Sequence, residues 1–151
     1  MKKILQIIIL VIVLLLLAVI VKYKLFTDND TKFYKDGWTA YENKQYDLTI
    51  FYLNRVDKNK FPDISAPLGF SYLEKQDFEN AINNLQEAYN NKIGEKEGYY
   101  DKISNSLGIC YMQKGDLNKS KLYLQEAQKL GNPDSKRNLQ ILDSLEHIRS
   151  K

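Results

Sequence analysis

LGICYMQKGDLNKSKLYLQEAQKLGNP, residues 107–133, is the stretch whose reading decides the fold. Apolar, aromatic and small residues recur in it at helical spacings. Gly115-Asp116 divides it in two, and Gly131-Asn132-Pro133 closes it, the punctuation of a helix stop followed by a new start. A helical hairpin of this kind is apolar on more than one side, so it needs neighbours of its own type to bury those sides.

Working outward, the same spacing recurs twice upstream. From Gly108 the chain carries Tyr111, Leu117, Ser120, Leu124 and Ala127. The same offsets from Gly69 give Tyr72, Phe78, Ala81, Leu85 and Ala88, and from Gly37 they give Ala40, Tyr46, Thr49, Leu53 and Val56. Self-similarity at such a period is the signature of a repeat architecture in which each unit buries its apolar faces against the next. Helices are predicted at about 31–43, 46–56, 64–75, 78–91, 98–114, 117–130 and 134–149. No stretch of useful length alternates apolar and polar residues as a half-buried strand does.

The pattern resembles the tetratricopeptide repeat family, on Leu107-Gly108 with Tyr111, Gly115-Asp116 and Ala127, and on Leu68-Gly69 with Tyr72, Phe78, Ala81 and Ala88. The first unit departs from it: Asp36 precedes Gly37, Ala40 stands where a tyrosine is expected, and Thr49 and Val56 replace alanines. The resemblance implies an all-α chain, an α-solenoid of three hairpins at about 31–61, 62–97 and 98–133, closed by a capping helix at 134–149. It also implies a protein-binding role, with the first helix of each hairpin lining a concave groove. On that face lie Tyr34, Trp38 and Tyr41, then Ala66, Phe70 and Leu73, then Asn105, Ile109 and Met112, each trio spaced i, i+4, i+7. Such a lining suits an apolar or aromatic peptide segment of a protein partner. Lys102 and Asn105 alone could hold a partner's carboxylates, and Glu42 and Glu74 beside the stripes oppose an acidic tail. A permanent structural or assembly subunit of a membrane-associated complex is the alternative.

The N-terminus reads differently. Residues 4–21 are almost unbroken apolar sequence behind Lys2 and Lys3, with Gln6 the one polar interruption. Eighteen such residues would rise about 27 Å, close to a bilayer's hydrocarbon thickness, which predicts a transmembrane anchor at 1–21 and a juxtamembrane tether at 22–30. A cleaved signal peptide fits less well, because Val19, Ile20 and Val21 stand where small residues are wanted. The expectation is a single-pass protein of a bacterial inner membrane with its repeat domain extracytoplasmic, or alternatively with that domain cytoplasmic.

Charge and chemistry narrow the function classes. The net charge of +3 comes from the lysines flanking the apolar run. Without Lys2, Lys3, Lys22 and Lys24 the remainder holds 18 basic against 19 acidic residues, which argues against nucleic-acid binding. One cysteine, Cys110, and one histidine, His147, leave no thiolate metal site, and no phosphate loop or metalloprotease motif is present. An enzyme, a cofactor and a metal are therefore not expected. The connection at 90–98 (NNKIGEKEG) reads as a solvated loop, with contact to a partner as its other reading.

Overall fold

The computed structural model describes residues 2–25 and 29–149; within 2–25 it describes the side chains of 3, 4, 6 and 8–19. Its helices are α1 (Lys2–Leu25), α2 (Asn29–Glu42), α3 (Tyr46–Leu53), α4 (Ser65–Glu74), α5 (Phe78–Asn90), α6 (Tyr100–Lys114), α7 (Leu117–Lys129) and α8 (Ser135–Arg149). A single 3-10 turn, Pro62–Ile64, leads into α4, and no strand occurs among the described residues. The chain is all-helical, and α2–α3, α4–α5 and α6–α7 form three hairpins with α8 packed after the third.

The recurring offsets have a steric cause. In each hairpin a glycine of the first helix faces a leucine of the second, sixteen residues further on: Gly37 and Leu53, Gly69 and Leu85, Gly108 and Leu124. A Cβ on any of these glycines would lie 2.2–2.6 Å from the nearest leucine carbon, a separation that side chains do not tolerate. The three leucines are fully buried, as are Thr49, Ala81 and Ser120 four residues before them. Glycine thus sets the interhelical distance, and the small residue on the facing helix preserves it. In the third hairpin the Ser120 hydroxyl donates to the Gly108 carbonyl at 2.8 Å, so even this buried hydroxyl is satisfied.

The hairpin turns repeat as well. Lys44, Gln76 and Gly115 all adopt positive φ, at 57°, 60° and 81°. The amide after each closes on a carbonyl five residues back: Gln45 on Ala40, Asp77 on Tyr72 and Asp116 on Tyr111, at 2.9–3.0 Å. This is the Schellman stop, and only the third hairpin uses glycine where the left-handed residue is required. In the second and third hairpins an aspartate then caps the next helix, Asp77 accepting from the Asn80 amide and Asp116 from the Lys119 amide.

Stacking gives the array two layers. Along the inner layer α2 contacts α4, α4 contacts α6 and α6 contacts α8, whereas the outer helices pack chiefly on their sequence neighbours. The main core joins the second and third hairpins through Ala66, Ala81, Leu85, Ala88, Ile103, Leu107 and Cys110. A smaller one around Leu53, Val56, Ile64 and Leu68 holds the first hairpin to the second.

The N-terminal expectation is corrected. Among the described residues no helix is long and apolar enough to cross a membrane. Helix α1 forms over Lys2–Leu25. The inner-membrane placement that rested on that segment has no support. The described α1 side chains from Ile8 to Val19 are exposed. The side chains of Leu25 and Phe26, which the sequence leads one to expect at an interface or packed under α2, lie outside the described residues.

Candidate functional site

Helix α2 presents Tyr34, Trp38 and Tyr41 along one stripe of the inner layer, and the three rings touch in sequence. Tyr34 meets Trp38 edge-on with ring centroids 6.2 Å apart, and Trp38 meets Tyr41 at 6.0 Å with planes nearly perpendicular. Tyr41 then stacks on Phe70 of α4 at 6.3 Å and 21°, carrying the ladder from the first hairpin to the second. These are the edge-to-face and offset geometries that aromatic quadrupoles favour. All four rings are half-buried, so each keeps a solvent-facing edge.

The foot of the ladder is fixed by the α3–α4 connection. Phe61 stacks on Tyr34 at 4.5 Å, and the Tyr34 hydroxyl donates to Asp63 at 2.6 Å. Burial, then the hydrogen bond and charge of Asp63, push the Tyr34 phenol from 10.0 up to about 12. Tyr41 is also pushed up to about 12, by burial first and then by Tyr46, Tyr99 and Glu74.

At its other end the ladder opens into a cavity of about 470 Å³ between α2, α4, α6 and the α7–α8 turn. Tyr41 and Phe70 form its apolar wall; Lys102, Asn105, Asn132 and Asp134 face them, and Glu42, Lys44, Tyr46 and Glu74 form the rim. Asn132 donates to Asp101 at 2.9 Å, while its own side-chain oxygen accepts from the Asp134 and Ser135 amides and starts α8. Asn105 accepts from the Asn138 amide group at 2.9 Å, which pins it against α8.

Of the nine residues expected on the groove face, the structure brings Tyr34, Trp38, Tyr41 and Phe70 into one ladder and places Asn105 in the cavity wall. Ile109 is half-buried on α6. Leu73 packs against the main core, and Met112 is buried with Leu124 and Leu142 in the third core cluster. Ala66, from the same stripe as Phe70, is 1% exposed and belongs to the main core. Phe61, Asp63, Tyr99 and Asn132 come from helix ends and connections, where no periodicity marks them. The positions of Asp63 and Asn132, each beside a proline at a helix start, were the one available signal.

Among the described residues no three His, Cys, Asp or Glu side chains group as metal ligands. Cys110 is fully buried, and burial pushes its thiol from 9.0 up to about 12, far from a thiolate nucleophile. The folded-state values of Cys110, Tyr34 and Tyr41 all lie above their ordinary values of 9.0 and 10.0. The unfolded chain therefore releases these protons first, so stability is whole below about pH 9 and declines as the pH rises toward about 12. Urea midpoints measured from neutral pH upward are expected to fall over that window together with the appearance of tyrosinate absorbance; a midpoint constant through it would contradict the burial of these groups.

No protein-family model matches the chain, and no curated protein is significantly similar to it.

Proposed function

We propose that the chain is a repeat protein of the tetratricopeptide type, and that its concave face binds an apolar or aromatic peptide segment of a protein partner. The observation that carries this reading is the ring ladder from Tyr34 to Phe70, whose last two rings line an open cavity although Phe70 also packs on the main core. Rigid aromatic side chains with exposed edges supply contact area at low entropic cost and dominate the energetics of interfaces. The polar residues opposite, Lys102, Asn105 and Asn132, provide the hydrogen-bonding groups that orient a peptide.

The test is binding of the natural partner to Tyr41→Ala and Phe70→Ala chains, each checked for helicity and melting temperature. A loss of at least about tenfold is expected from either, as for an interface hot spot. Leu122→Ala is the control, since Leu122 is 61% exposed on α7 away from the groove. Unchanged binding in both groove variants would remove the reading.

A second reading, a permanent subunit of a larger assembly, is favoured by one observation. The last helix of a solenoid ordinarily turns a polar face outward. Here Ile141, Leu145 and Ile148, spaced i, i+4, i+7 on α8, are 42%, 36% and 68% exposed. Salt-resistant co-purification at constant stoichiometry distinguishes this from reversible peptide binding.

A further inference from the structure

Beside the ladder lies a second cavity, of about 590 Å³, between Trp38 and Asp63 on one side and the α5–α6 loop with Tyr99 on the other. The loop is folded on itself. Ile93 donates to the Ala88 carbonyl at 2.9 Å, and the amides of Tyr99 and Tyr100 both donate to the Gly94 carbonyl, at 2.9 and 3.2 Å. Gly94 is buried at φ 82°, and a Cβ there would lie 2.4 Å from the Tyr99 ring. Only glycine fits, so the turn clamps Tyr99 in one position. From there Tyr99 lines the same cavity as Trp38, beside the ladder.

Two features of this slot need an explanation. The Trp38 indole nitrogen is buried and completes no hydrogen bond. The Tyr34 hydroxyl is a polar neighbour of it. A buried donor left unmade is costly and rare, and a ligand acceptor is one way of satisfying it. Charge is the second feature. The slot holds Asp63, Glu95 and Glu97 against Lys92 and Lys96, and the first cavity holds Glu42, Glu74 and Asp134 against Lys44 and Lys102. Each compartment therefore carries one carboxylate in excess. In the slot Lys92 and Glu95 neutralise one another at 3.8 Å, which leaves Asp63 and Glu97 with Lys96.

We infer that the α5–α6 loop is the second wall of the groove, and that the occupant is an extended peptide with an apolar or aromatic residue flanked by lysine or arginine. This rests on the reading of the concave face as a peptide site. The apolar residue lies against Tyr41 and Phe70, and the basic flanks answer the two carboxylate excesses. A main-chain carbonyl of the peptide accepts from the Trp38 indole. An extended segment leaves such carbonyls free, whereas a helical one has committed them to its own amides.

Panning a display library of random dodecapeptides on the full chain tests this, in mild detergent because of the exposed apolar side chains of α1. Peptides are counted that lose at least tenfold in affinity to the Phe70→Ala chain. They are expected to carry Lys or Arg beside an apolar residue, to alter the fluorescence of Trp38, the one tryptophan, and to weaken with salt. Trp38→Phe keeps a ring and removes the donor, and is expected to weaken them roughly five- to tenfold, the contribution of one hydrogen bond. Gly94→Ala displaces Tyr99 and is expected to weaken them with little change in helicity.

Enrichment of acidic or uncharged peptides, or full affinity in both Trp38→Phe and Gly94→Ala chains, overturns the inference while leaving the groove reading intact. If no peptide depends on Phe70, both fall together.

Discussion

Leu124→Ala is expected to lower the unfolding free energy by about 3–4 kcal/mol, measured by urea denaturation. Leu124 is fully buried where α6, α7 and α8 meet, beside Met112 and Leu142. Removing it deletes apolar area and leaves a void that relaxes poorly, because the Gly108 backbone and the α8 side chains enclose it from different helices. A loss under about 1 kcal/mol would mean that the hairpin closes without this contact.

The second prediction concerns the other half of that contact. Gly108→Ala is expected to cost about 2 kcal/mol, far more than an alanine normally costs in a helix, where it is the better residue by about 1 kcal/mol. The new Cβ would fall 2.5 Å from Leu124 Cγ and 3.2 Å from the Leu124 backbone nitrogen. The side-chain clash disappears when Leu124 is alanine; the approach to the backbone remains and requires a shift of a few tenths of an ångström. Gly108→Ala on the Leu124→Ala background should therefore cost at least about 1 kcal/mol less than on the wild type. Strict additivity in the double-mutant cycle would show that the glycine does not set the interhelical distance. The same experiment on Gly69 and Leu85 should give the same sign, since the Leu85 backbone nitrogen lies at 3.0 Å.

Much of the helical array was legible in the residues because its determinants are local or repeat at a constant offset. A glycine and a leucine sixteen apart, a small residue between them and an aspartate after a left-handed turn recur within one hairpin's length. The first hairpin is less regular, yet Lys44 takes the same positive φ that Gly115 does, because the hydrogen bond from Gln45 to Ala40 closes the turn regardless. The groove was legible only in part. Tyr34, Trp38, Tyr41 and Phe70 stand on the predicted stripes and do meet, whereas Met112 occupies the equivalent stripe of α6 and is buried, because α8 packs over that end of the helix. An i, i+4, i+7 pattern identifies a face and is silent on what covers it.

The N-terminal run shows the opposite limit. Composition alone pointed to a membrane-crossing helix at 4–21, and among the described residues no helix meets the length and apolarity that a crossing requires.

By itself, then, the sequence determined the helical hairpins and the spacing inside each, because glycine clearance, caps and turn hydrogen bonds act over a few residues to a couple of turns. Tertiary structure decided which aromatic rings line a cavity, that Asn105 is held by Asn138, and that the loop carrying Tyr99 shares a cavity with Trp38. Those outcomes depend on contacts between residues thirty to sixty positions apart, where loop path and helix stacking choose the neighbour and local pattern has no hold.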